Sequence, residues 1–226
     1  MISVAIDGPS GAGKSTLAKR LAKELGYIYV DTGAMYRSIG LFGLREKADL
    51  QDAAAMQQLL PRIHLELASI DGAQHIYLNG EDVSETIRQE QVGMAASAVA
   101  AHPCVREFLL GLQRGMAEKQ NVLMDGRDIG TVILPKATVK IFLTASDEDR
   151  AMRRTKELRA KGMDVRYEDV LREMLERDEN DRTRAVAPAV AAPDAIHFDN
   201  SGMQVEECTA AILELIRAHR PEEAQR

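Results

Sequence analysis

Eight consecutive residues, Gly8-Pro9-Ser10-Gly11-Ala12-Gly13-Lys14-Ser15, match the pattern GxxxxGK[ST], and Thr16 follows. The chemistry of this pattern is phosphate binding. Glycines at 8, 11 and 13 permit backbone conformations that turn N–H groups onto phosphate oxygens. A helix starting near Lys14 adds the positive end of its dipole. The Lys14 ammonium reaches β- and γ-phosphates, and the Ser15 hydroxyl suits Mg²⁺. Asp125 closes the apolar run NVLM. It either holds Mg²⁺-bound water or caps the turn after a strand.

Arginines in suggestive settings point to a second anionic ligand. Arg37 follows Asp31-Thr32-Gly33, and Arg127 lies in DGRD beyond NVLM. Ligands of open α/β sheets bind at such strand ends. Arg177, Asp181 and Arg184 are spaced so that one helix face carries all three, as a binding set or as a solvated ion-pair ladder. Arg150, Arg153 and Arg154 also share a face, and read alone they form a solvent-facing stripe. Asp128 reads equally as a turn cap. Ser97 and Arg106, read alone, are ordinary helix residues.

The elements that must position these groups alternate. Apolar runs at 2–7, 27–30, 121–124, 137–143 and 195–198 read as strands. Helical patterns cover 15–25, 32–44, 49–61, 105–119, 167–182 and 205–219. Shorter ones begin at 84 and cover 95–101. Another helix follows the cap Ser146 to about Gly162. Between 63 and 83 the pattern becomes a small antiparallel patch, with turns at DGAQ and NG. Residues 185–193 read as an ordered loop, and the tail PEEAQR as frayed. Strands alternating with helices imply a parallel sheet covered on both faces, an α/β fold in one domain.

With 226 residues, 45% hydrophobic and 28% charged, the chain has the composition of a globular protein with a sizeable core. Its net charge of −6 and 4% aromatic content argue against nucleic-acid binding, which needs phosphate neutralisation or stacking platforms. No membrane span or signal peptide is read, and the two cysteines, Cys104 and Cys208, form no metal or disulfide pattern. A reduced, cytoplasmic protein is expected. The histidines show no metal-ligand spacing.

IDGPSGAGKST, DTGAMYR, EDVSETIR, DGRDIGTV followed by KIFL, and RDENDRTRAVAP occur in this order. Together they resemble the bacterial cytidylate kinases of the nucleoside monophosphate kinase family, over nearly the whole chain. The resemblance implies a P-loop kinase core with a parallel sheet flanked by helices. It implies one domain over 1–226, an antiparallel insertion within a CMP-binding region at about 35–105, and a helical lid at about 148–166. The implied reaction moves the γ-phosphoryl of ATP to CMP or dCMP. Gly8, Pro9, Ser10, Gly11, Ala12, Gly13, Lys14, Ser15 and Thr16 would hold the ATP phosphates. Mg²⁺ would sit on Ser15 and, through water, on Asp125. Arg37, Arg127 and Arg184 would take the CMP phosphate, and Arg177 and Asp181 would face the ribose. Ser97, Arg106 and Asp128 would line the cytosine pocket. Arg154, with Arg150 or Arg153 nearby, would close over ATP. Lys14, Arg127, Arg154 and Arg184 are the implied catalytic cations. Thr32 stands where the family often has Ser and keeps the hydroxyl near the nucleotide. The expected partners are ATP and CMP or dCMP, with neither nucleic acid nor membrane, and a monomer is expected. Another small-molecule kinase on the same core is told apart by its acceptor, and a nucleotide-dependent switch is disfavoured by the arginines beyond the P-loop.

Overall fold

The computed structural model describes residues 1–70 and 73–219. Asp71 and Gly72 of the expected turn, Arg220, and the expected tail at 221–226 lie outside the described residues. In chain order the strands are β1 (Ser3–Asp7), β2 (Ile28–Asp31), β3 (Leu65–Ile70), β4 (Ala73–Leu78), β5 (Glu81–Asp82), β6 (Val122–Asp125), β7 (Val139–Thr144) and β8 (Ile196–Asp199). The helices are α1 (Lys14–Leu25), α2 (Thr32–Arg45), α3 (Ala53–Leu59), α4 (Glu90–Ala100), α5 (Pro103–Lys119), α6 (Asp147–Ala160), α7 (Tyr167–Thr183) and α8 (Val205–Ala218).

Five strands form a parallel sheet in the order β2-β6-β1-β7-β8, and β3, β4 and β5 form a separate antiparallel sheet. Strand periodicity divides the core. In β1, Ala5 joins the layer under α2, α4 and α5, while Val4 and Ile6 join the layer under α1 and α8. In β6, Val122 and Met124 face the first layer and Leu123 the second. Each buried leucine of α1, Leu17 and Leu21, contributes roughly 1.5–3 kcal/mol by leaving water. Gly26 ends that helix in the left-handed region, φ 66°. The expected parallel sheet with two helical layers is therefore the observed architecture.

Three segments differ from expectation. The helix expected over 49–61 is α3 and then a single 3₁₀ turn, Leu60–Arg62. Asp52 is its cap, because its carboxylate accepts the Ala54 N–H at 2.9 Å. Residues 84–88 yield only the 3₁₀ turn Thr86–Arg88, and the next helix starts five residues earlier than expected, at Glu90, with Val92 buried. Residues Ile129–Ile133, where no element was expected, form a π-helical turn. Single π turns occur often at functional sites.

Candidate active site

The C-terminal ends of β1, β2 and β6 open into one cavity of about 800 Å³. The phosphate loop runs from β1 into α1 along its floor. Gly8 has φ +145°, and a Cβ there would lie 2.0 Å from the Leu143 carbonyl oxygen, so only glycine lets the loop pass β7. The loop tip is pinned from two sides. The Ser10 N–H donates to Asp178 Oδ1 at 2.8 Å, and the Ser10 carbonyl accepts from Arg150 Nη1 at 2.7 Å. Arg150 also pairs with Asp178 and Asp147.

Arg150 is therefore buried, at 4% exposure, and is not part of a solvent-facing stripe. Its two neighbours behave differently again. Arg153 donates to the Asn200 side chain and carbonyl at 2.9 and 3.0 Å, and Asn200 in turn donates to the Ala12 carbonyl at 2.9 Å. Among the described residues, Arg154 pairs only with Glu157 on its own helix, at 2.9 Å. Helical spacing shows a shared face but not which of three arginines meets an acid from another element.

Lys14 is buried, and its Nζ donates to the Pro9 carbonyl at 2.6 Å. Burial, with the Arg127 cation adding, holds its ammonium well below the ordinary range, while Asp125 opposes the shift. The Ser15 hydroxyl donates to Asp125 Oδ2 at 2.7 Å, and the Tyr29 hydroxyl donates to Oδ1 at 2.8 Å. Burial and the neighbouring Asp31 raise the Asp125 carboxyl. Asp125 thus does more than cap a turn. A hydroxyl and a carboxylate side by side at the cavity wall are hard oxygen donors, the set Mg²⁺ takes together with phosphates and water. No group of three or more His, Cys, Asp or Glu gathers as a closed metal site among the described residues.

On the other side of the loop stands a charged cluster. Arg106 Nη1 donates to Asp128 Oδ2 at 3.0 Å, and Arg106 lies over the Tyr36 ring at 5.6 Å. Arg127 Nε donates to Asp181 Oδ2 at 3.0 Å. Arg184 Nη1 lies 3.4 Å from Asp181 Oδ1, and its Nη2 lies 3.8 Å from Asp128 Oδ1. Asp181 and Arg184 are 14% and 16% exposed, so the expected face of α7 is a cavity wall rather than a solvated ladder. Arg184 is the residue that ends α7. Burial raises the Asp128 carboxyl despite Arg106 and Arg184. Burial, with Arg127 beside it, pushes the Arg177 guanidinium down to about 10.

Among the described residues, Arg37 and Arg177 have no hydrogen-bond or ion-pair partner, and Arg177 Nε and Arg184 Nη2 are buried without an acceptor. Orphaned buried donors of this kind cost free energy unless a ligand supplies the acceptor. Every expected site residue lines the cavity except Gly8, Pro9, Ala12 and the lid candidate Arg150. Thr32 lines it too, but its hydroxyl donates to the Asp125 carbonyl at 2.8 Å, joining the start of α2 to β6. Ser97 faces the same space from α4.

Sequence reading passed over Arg88, which lines the cavity and donates to Asp31 at 3.0 Å, and Asn200, which follows β8. The polar DNSG at a strand end was the available signal for Asn200. Nothing local marked Tyr29, whose role depends on Asp125 almost a hundred residues away.

A family model described as cytidylate kinase matches residues 4–218. A relative from Carboxydothermus hydrogenoformans named cytidylate kinase is 50% identical over 213 residues, 94% of this chain and 96% of its own. One from Bacillus velezensis with the same name is 47% identical over 215 residues, 95% and 96% of the two chains. Among solved structures, an uncharacterized protein from Eubacterium ventriosum matches with a TM-score of 0.52 at 15% identity, covering 96% of this chain and 99% of its own. That last likeness is one of fold alone.

Proposed function

The chain belongs to the cytidylate kinase family, and from that membership we propose how it transfers the γ-phosphoryl of ATP to CMP or dCMP. The ATP phosphates lie on the backbone of Gly8–Thr16, with Lys14 moving from the Pro9 carbonyl to the β- and γ-oxygens. The donor base lies towards Met203, Gln204 and Val205, where Arg153 and Asn200 border the same cavity. Ser15 and Asp125 would hold Mg²⁺, Asp125 through water. The ion neutralises charge on the transferring phosphoryl group when bound.

CMP occupies the opposite end. Asp128 and the Ser97 hydroxyl accept from the cytosine amino group, and Arg106 donates to its ring nitrogen and carbonyl oxygen. Arg177 and Asp181 take the ribose. Arg37, Arg127 and Arg184 take the phosphate. An oxygen of that phosphate attacks the γ-phosphorus as the bond to the β-phosphate oxygen breaks, releasing ADP and CDP or dCDP. The nucleophile is already anionic, so no general base is required. Catalysis is positioning and charge stabilisation by Lys14, Arg127, Arg154 and Arg184. The CMP-binding region at about 35–105 and the lid at about 148–166 close over the nucleotides and exclude water. The chain works as a cytoplasmic monomer within a single domain.

The observation that carries this reading is the pair Arg37 and Arg177, cations on the cavity wall without an acceptor among the described residues. A coupled ADP-release assay with CMP, dCMP, UMP, AMP, GMP and shikimate tests it. Turnover with CMP and dCMP should exceed that with the other acceptors. Equal turnover with UMP would remove the roles of Ser97, Arg106 and Asp128. ADP release without any acceptor would replace the kinase by a hydrolase.

A further inference from the structure

Asp7 is the last residue of β1, directly before Gly8, and is 4% exposed. Its two oxygens are both used. Oδ1 accepts the Ile129 N–H at 2.8 Å and Oδ2 the Gly130 N–H at 2.7 Å. These donors are the first two N–H groups of the π turn, and the first residues of a helical turn have no acceptor within it. The carboxylate supplies that acceptor from a strand more than 120 residues away in sequence.

The residue immediately before the pair is Asp128, whose own carboxylate is held on Arg106. Fixing the two N–H groups after Asp128 fixes where its Cα and side chain stand. Little slack remains. A Cβ on Gly130 would lie 3.3 Å from Asp7 Oδ2 and 3.2 Å from Lys140 Cδ. Lys140 is no counter-ion for Asp7, because its Nζ is committed to Asp194 and the Pro135 carbonyl.

We infer that Asp7 is a positioning residue for acceptor-base specificity: it anchors the π turn that presents Asp128 to the pyrimidine amino group. The inference rests on the reading of Asp128 as the base acceptor. It also joins the two substrates physically, since the strand that delivers the phosphate loop to ATP clamps the segment that reads the acceptor.

The test uses the full-length enzyme with Asp7→Asn, Gly130→Ala and, as reference, Asp128→Ala. Asparagine keeps the size but offers one acceptor oxygen where two N–H groups need one each. The Gly130 substitution pushes on the same bond from the other side, and it carries the test if Asp7→Asn fails to fold. In either variant KM for CMP should rise about tenfold and the CMP-over-UMP ratio of kcat/KM should fall about tenfold, the cost of one misplaced charged hydrogen bond. KM for ATP should stay within about twofold. Thermal stabilisation by CMP alone should shrink in parallel. KM values for ATP and CMP rising together with the ratio intact would make Asp7 a merely structural support of the phosphate loop, and the inference falls. So does an unchanged ratio in a folded variant while Asp128→Ala loses it. A wild-type enzyme without preference for CMP over UMP would instead overturn the base-reading role of Asp128 itself, and the inference with it.

Discussion

The two ends of the cavity hold their charges differently. At the end proposed to take CMP, Arg106, Asp128, Arg127, Asp181 and Arg184 pair with one another across elements, and their side chains are 8–19% exposed. At the end proposed to take the ATP phosphates, Lys14 rests on the Pro9 carbonyl and Arg154 on Glu157, acceptors of their own segments, with Arg154 44% exposed. The first arrangement is organised before substrate arrives. In the proposed reaction, the second is a set of temporary partners that phosphate oxygens replace. Specificity needs groups fixed in advance, because a mismatched base is rejected by what cannot move to satisfy it. Transfer, in the proposed reaction, needs charge that concentrates as segment 148–166 closes.

Lys14→Ala tests the division most severely. It removes a cation from the transferring group, so kcat should fall by about 10³ or more while KM for CMP changes little. If the loss instead appeared in KM for CMP with kcat preserved, the two ends would not be separate in function. Circular dichroism and the thermal midpoint should remain close to wild type, since the alanine leaves α1 intact.

A smaller effect, in stability, probes the pre-organised end. Burial pushes the Asp7 carboxyl up to about 6, against the two backbone N–H groups that lower it. In the unfolded chain it titrates near 4. The folded state therefore binds this proton more tightly. The corresponding stability is complete below about pH 4 and is lost as pH rises through about 6, a change of roughly 3 kcal/mol. The stability of wild type relative to Asp7→Asn should fall by that order between pH 4 and 7, measured by urea unfolding at stepped pH. A pH-independent difference would mean that Asp7 keeps an ordinary carboxylate range. A carboxylate kept buried at such a cost at neutral pH is what a positioning role demands.

How much of this was legible in the sequence follows from the range of each interaction. The phosphate loop, the strands and α1, α2, α5, α7 and α8 are written in local patterns, and they stand within a few residues of where periodicity places them. The π turn at Ile129–Ile133 was not legible, because the acceptor for its first two N–H groups is Asp7, far away in sequence. The same holds for the stripe of Arg150, Arg153 and Arg154. Their spacing is identical in kind to a solvated face, and only Asp178 and Asn200, brought from α7 and the end of β8, tell them apart. Arg37, Ser97 and Arg106 acquired roles through the family resemblance, and the structure brings all three to one cavity.

The smallest effect addresses whether the lid partners are temporary. Glu157 lies between Arg154 and Lys161, at 2.9 and 2.6 Å, with its side chain 48% exposed. Exposed pairs of this kind contribute little to stability, so Glu157→Gln should leave the thermal midpoint nearly unchanged. It should still release Arg154 from a competitor of the ATP phosphates. KM for ATP is expected to fall about twofold at low ionic strength, with the gain fading as salt screens the charges. KM for CMP should not move, because its base is read by groups at the other end of the cavity. A rise in KM for ATP would show that Glu157 holds Arg154 where the phosphates need it, and the lid would then belong with the pre-organised end rather than opposite it.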